Sequence, residues 1–121
     1  MKRTLILAFA VLPLLLACAC RPPRPSADLA AGVAAARAGE WDAAVRHWRG
    51  VAAREPGSAA AHNNLAVACE KKGDWEEARK EYETALGLDP GNAVIMANFE
   101  RFKARLDAAR KTGPAPAGRT P

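Results

Sequence analysis

Sliding the chain against itself by 34 residues brings its landmarks into register. Gly39 meets Gly73, Trp41 meets Trp75, Ala44 meets Ala78, Trp48 meets Tyr82, Pro56 meets Pro90 and Gly57 meets Gly91. An internal period of this length confines a chain to repeat architectures, in which one supersecondary unit stacks on a copy of itself. The punctuation says what the unit contains. Gly39 and Gly73 stand where a helix ends in a left-handed residue, a conformation only Gly adopts cheaply. Pro56 and Pro90 stop a second helix and aim the chain into the next unit. Ala44 and Ala78 suit a close helix crossing, and Trp48 and Tyr82 the gap between paired helices. Ser58 and Asn92 are suited to cap the helices that follow them. Asp74, with Glu77 three residues on, reads as a capping pair, and Glu40 as a poorer cap.

This reading gives an all-α domain with helices over about 27–38, 42–54, 59–72, 75–88 and 93–110. Composition agrees with it. The chain is 50% hydrophobic but only 6% aromatic, so its core must be made of closely packed small residues with a few large anchors. No Val/Ile-rich run of strand length exists outside the N-terminal segment, and a nucleotide-binding α/β enzyme does not fit in residues 26–111. The formal charge of +5 falls to +3 once Lys2 and Arg3 are set aside, a mixed balance that argues for solubility and against nucleic acid as partner.

A 34-residue period with this punctuation resembles the tetratricopeptide repeat, a helix–turn–helix unit. The second copy is close to the family pattern: Leu65-Ala66 in its first helix, Gly73-Asp74-Trp75 at the turn, Ala78 and Tyr82 in its second helix, then Ala85-Leu86 and Pro90. The resemblance implies two repeats, 25–58 and 59–92, forming a short right-handed α-solenoid. The helix over 93–110 carries Ile95, Phe99, Phe102 and Leu106 on one face with Met96 beside it, and should cap the end of the second unit. Residues 112–121 are Pro/Gly-rich and read as a disordered tail. The first unit departs from the pattern. Where the family prefers bulky residues it holds Asp28, Ala31 and Ala35, so its first helix should be hydrophobically thin and should fray or recruit a partner. Two repeats are also fewer than the three or so an array usually needs, which leaves a marginal monomer or a homodimer.

The N-terminus is an address. Met1-Lys2-Arg3 is a basic start, and the uncharged run from Thr4 to Leu16 would span roughly 20 Å as a helix, short of a ~30 Å hydrocarbon core. Basic start, short apolar run and small residues make residues 1–17 a signal peptide. Leu15-Leu16-Ala17-Cys18 resembles the bacterial lipobox, which implies cleavage after Ala17 and lipidation of Cys18. Several acyl chains hold a protein on a bilayer where one is marginal. By resemblance to the enterobacterial sorting rule, Ala19 favours the outer membrane, with the domain facing the periplasm. Residues 18–25, including Arg21-Pro22-Pro23-Arg24-Pro25, form an extended spacer.

Catalysis finds no support in the sequence. His47 and His62 are isolated, with no acid-oriented nucleophile and no metal-ligand spacing, so no enzyme, cofactor or metal is expected. His47 is placed on a solvent-facing side and His62 against the preceding helix. Cys69 reads as a small buried hydrophobe, with a disulfide to Cys20 as the alternative. What remains is the concave surface on which arrays of this family bind peptides. By resemblance it falls on Leu29, Val33, Ala36 and Arg37, then Asn63, Asn64, Val67, Glu70 and Lys71, then Val94, Asn98 and Arg101. Asn amides can hydrogen-bond an extended backbone, and Leu29, Val33 and Val67 can hold apolar side chains. The carboxylate-clamp subtype uses Lys and Asn where this chain has Leu29 and Val33, and Lys and Arg where it has Val94 and Asn98. Only Asn64 matches, which argues against the clamp.

The expectation is a membrane-anchored adaptor that binds a protein or peptide segment. In plan it resembles repeat lipoproteins that assist pilus secretin assembly or recruit peptidoglycan enzymes. The competing readings are a periplasmic carrier or chaperone in cytochrome c maturation, and a structural self-assembling module.

Overall fold

The computed structural model describes residues 27–113. The segments read from sequence as a signal peptide (1–17) and a spacer (18–25), with Cys18, lie outside the described residues, as does the chain beyond Gly113. Five helices follow one another: α1 (Ala27–Arg37), α2 (Trp41–Arg54), α3 (Ala59–Lys72), α4 (Trp75–Leu88) and α5 (Ala93–Thr112). No strand occurs among the described residues. The helix limits read from the sequence hold to within two residues, the last helix running on to Thr112. None of these helices is long and apolar enough to cross a membrane.

The turns inside the two units are copies of each other. Gly39 and Gly73 take φ of 78° and 82°. The Gly39 N–H donates to the Ala36 carbonyl and the Glu40 N–H to that of Ala35; Gly73 and Asp74 donate in the same way to Glu70 and Cys69. This paired bonding satisfies carbonyls that the helix end would orphan, and it needs a left-handed residue. It also overturns the capping pair read at Asp74. That residue's N–H is bound to the Cys69 carbonyl and its ψ is 68°, and its side chain accepts no cap bond. Its carboxylate instead lies 3.7 Å from Lys72 Nζ. Glu40, with ψ of 69°, also makes no cap bond. Ser58 and Asn92, with more extended ψ of 92° and 106°, do cap: Ser58 accepts from Ala61 N, and Asn92 from Val94 N and Ile95 N. Asn92→Ala should therefore cost about 1 kcal/mol, read from denaturant unfolding, whereas Asp74→Ala should cost less.

The core lies between the paired helices. Ala44, Ala61, Ala66, Ala68, Ala78 and Ala85 are fully buried, and Trp48, Leu65, Tyr82 and Phe102 are the large anchors among them. Ala78→Leu should thus destabilise by about 1–3 kcal/mol, since a packed crossing cannot admit three more carbons. The same change at half-buried Ala109 on α5 should be tolerated, and equal melting temperatures would contradict this packing. The thin first helix is filled from the opposite side. Trp48 on α2 lies against Gly32, and its Nε1–H donates to the Leu29 carbonyl at 3.2 Å. A large residue on α2 does the work that bulky residues on α1 would do.

α5 closes the far end. Phe102 packs 5.3 Å from the Tyr82 ring and 6.0 Å from Trp75, with Leu106 in the same buried cluster, and Ile95 is buried nearer the start of the helix. Met96, placed next to this stripe by sequence, is 50% exposed.

Candidate functional site

Two concavities open between the first helices of successive units. The first, of about 360 Å³, is lined by Leu29, Ala30, Val33, Ala34 and Arg37 of α1 and by Asn64 of α3. The second, of about 90 Å³, is lined by Val67, Glu70 and Lys71 of α3, Asn98, Arg101 and Arg105 of α5, and Tyr82 at its base. Asn64, Val67 and Lys71 follow one another at i, i+3 and i+7, one face of α3. The two concavities therefore share a wall and form one groove across α1, α3 and α5.

Nine of the residues read from sequence line this groove: Leu29, Val33, Arg37, Asn64, Val67, Glu70, Lys71, Asn98 and Arg101. Three others do not. Ala36 packs against the core. Asn63 is only 7% exposed: its carbonyl accepts from Asn98 Nδ2 at 3.0 Å and its amide donates to Asn64 Oδ1. It is a strut below the groove, because a buried amide must bond inward to offset its lost hydration. Val94 is 65% exposed and lies outside both concavities.

The second concavity is held by a polar network. The Glu70 side chain is 7% exposed; its Oε1 accepts from Arg105 Nη1 at 2.7 Å and its Oε2 from the Tyr82 hydroxyl at 3.1 Å. A buried carboxylate needs such partners. Arg101 donates to Asn98 Oδ1, which continues the chain through Asn63 to Asn64. Arg105 and the Tyr82 hydroxyl were not among the residues read from sequence. The signal for Arg105 was present, since Arg37, Lys71 and Arg105 follow at 34-residue intervals.

The remaining chemistry-bearing side chains are structural. His62 Nδ1 lies 2.6 Å from Glu81 Oε2 and its Nε2 3.0 Å from the Pro56 carbonyl. Its two polar contacts tie it to the loop before α3 and to α4. His47 is half-exposed, with Nδ1 3.6 Å from Asp28 of α1. No group of three metal-ligating side chains occurs among the described residues. Cys69 is fully buried and free, and burial, with Glu77 adding its charge, pushes its thiol up to about 12. Burial and the neighbouring Glu70 carboxylate raise Tyr82 as well. Both groups hold their protons more tightly folded than unfolded. The thiol's contribution is complete below its unfolded value of 9.0 and is lost as pH rises from there towards 12, and the loss of Tyr82's contribution begins only above its unfolded value of 10.0. Melting temperature should fall above pH 9, and Cys69→Ala should flatten the first part of that fall.

Repeated helical hairpins with a groove across their first helices define a protein-interaction class of fold, typically non-catalytic. A tetratricopeptide repeat family model matches residues 29–93, more than half of the chain, and the protein belongs to that family. No curated protein matches the sequence significantly.

Proposed function

We propose that this protein is a membrane-anchored adaptor of the bacterial envelope. In this reading it is exported, acylated at Cys18 and held, in favour of the outer membrane, with its groove facing the periplasm. There it binds a segment of a protein partner and assists assembly of a pilus, secretion or cell-wall complex. The observation that carries the adaptor role is the groove itself. It presents apolar Leu29, Val33 and Val67 beside hydrogen-bonding Asn64 and basic Arg37, Lys71 and Arg101, and tetratricopeptide arrays generally bind protein partners. The anchoring rests on the basic start, the short apolar run and Leu15-Leu16-Ala17-Cys18.

The two parts are tested separately. Metabolic labelling with a palmitate analogue should mark the wild type and not Cys18→Ser; undiminished labelling of the variant would remove the anchor from the account. For the groove, a partner copurified with the full chain from detergent-solubilised envelopes should be lost on Val67→Asp. Val67 is half-buried on the groove side, so circular dichroism must first show that the variant is folded.

A further inference from the structure

We propose that the corner made by the end of α4 and the first turn of α5 rests on the lipid surface, as a second contact beside the acylated Cys18. This rests on the anchored reading above and adds how the domain is seated.

The helices alternate in direction, and their contacts fix which ends lie together. Arg54 at the end of α2 pairs with Asp28 near the start of α1, and Lys72 at the end of α3 lies 2.7 Å from Asp42 near the start of α2. α3 and α5 run the same way, since Asn98 donates to Asn63 and Arg105 to Glu70. The starts of α1, α3 and α5 and the ends of α2 and α4 therefore share one edge. The turns at Gly39 and Gly73 occupy the other.

Two features meet on the first edge. One is the entry of the chain from Cys18: α1 begins at Ala27, and residues 18–26, extended at about 3.1 Å each, reach at most roughly 28 Å. The other is apolar. Among the described residues the exposed large hydrophobic side chains are Leu88, Val94 and Met96, at 43%, 65% and 50%. Leu88 ends α4. Val94 and Met96 stand in the first turn of α5, where side chains lean towards the helix start and so towards this edge. No charged residue occurs over 90–99, and Asp89, just before them, accepts from Asn92 Nδ2 at 2.9 Å.

The internal repeat supplies the comparison. One period earlier the same three places hold Arg54, paired with Asp28, then Ala60, then His62, whose ring meets Glu81 and the Pro56 carbonyl. There the edge is polar or small, and around the last loop it is large and apolar. The cap does not require this, because Ile95, Phe102 and Leu106 are already buried. An apolar group of this kind marks a surface that meets something. Three partly exposed side chains are far too few for the roughly 800 Å² per partner of a stable dimer. Beside a lipid anchor they suffice. The tether makes the second contact intramolecular, and apolar groups gain by entering the boundary between headgroups and acyl chains. Seated so, the helices stand up from the bilayer and the groove runs along it, open to the side.

The test uses the full acylated chain with Cys20→Ser, bound to phosphatidylethanolamine/phosphatidylglycerol vesicles. Cys69 is buried with its thiol pushed up to about 12, so a maleimide dye goes to an introduced cysteine. A polarity-sensitive nitrobenzoxadiazole dye at Val94→Cys or Met96→Cys should shift its emission to the blue and be quenched by lipids spin-labelled on the acyl chain. At Glu76→Cys, exposed near the start of α4 on the other edge, it should do neither. If the chain floats with the vesicles while the dyes at 94 and 96 behave like that at 76, the anchor stands and this proposal fails. If the chain does not float, both fail. A blue shift that the quenching lipids leave untouched, and that grows with protein density, would mark a second copy as the occupant and overturn the proposal.

Discussion

Replacing Phe102 with Ala is expected to destabilise the domain by about 3–5 kcal/mol, a large part of the roughly 5–15 kcal/mol a small domain possesses. The ring is fully buried and stands at the centre of an aromatic cluster, 5.3 Å from Tyr82, 6.0 Å from Trp75 and 6.1 Å from Phe99. Its removal leaves a cavity on which α4 and α5 cannot both close. Phe99→Ala should cost distinctly less, because that ring is only partly buried, with Lys103 Nζ over it at 5.1 Å. Deleting residues 93–121 should abolish cooperative unfolding or cause aggregation, since Tyr82 and Ala85 would lose their cover. Thermal melts by circular dichroism on the three variants decide this. A deletion that melts like wild type would mean that α5 is not a cap, and a costlier Phe99→Ala would misplace the centre of the cluster.

The second large effect is expected at Gly32, where two rules oppose each other. Ala is the better helix former by about 1 kcal/mol, so Gly32→Ala should stabilise α1 on propensity alone. A methyl group there, however, would stand 2.6 Å from Cδ1 and Cε2 of Trp48. That ring is 3% exposed and bonded to the Leu29 carbonyl, so it cannot swing aside without losing both burial and bond. Overpacking of about 1–3 kcal/mol should win, and Gly32→Leu should detach α1 from α2. The expected readout is a lower melting temperature with a red shift in tryptophan emission. A stabilised Gly32→Ala would show that the indole has room to move.

The sequence made the repeat legible because each landmark solves a local problem that has few other solutions. A left-handed turn demands Gly39 and Gly73, a close crossing demands Ala44 and Ala78, and a helix stop suits Pro56 and Pro90. What stayed hidden depends on where a neighbouring element lies. Phe99 and Phe102 share one apolar stripe on α5, and only the position of α4 decides which is central and which marginal. Asp74 has the composition of a cap, but the turn bond that fixes its N–H leaves the side chain pointing elsewhere. The small residues of α1 look unstable until Trp48 is brought across from α2. In the groove, period alone could have added Arg105 to Arg37 and Lys71. No pattern distinguishes Asn63 from Asn64, because adjacent amides differ only in which way the helix turns them.

The account stands on the groove across α1, α3 and α5 being the surface that meets the partner, and site-specific photocrosslinking in cells tests that most directly. A photoreactive side chain replacing Asn64, Arg101, Arg46 or Lys80 samples two groove positions and two exposed positions on α2 and α4. The account predicts one discrete protein adduct from Asn64 and Arg101 and none from Arg46 and Lys80. Adducts from Arg46 or Lys80 with the groove positions silent would contradict it.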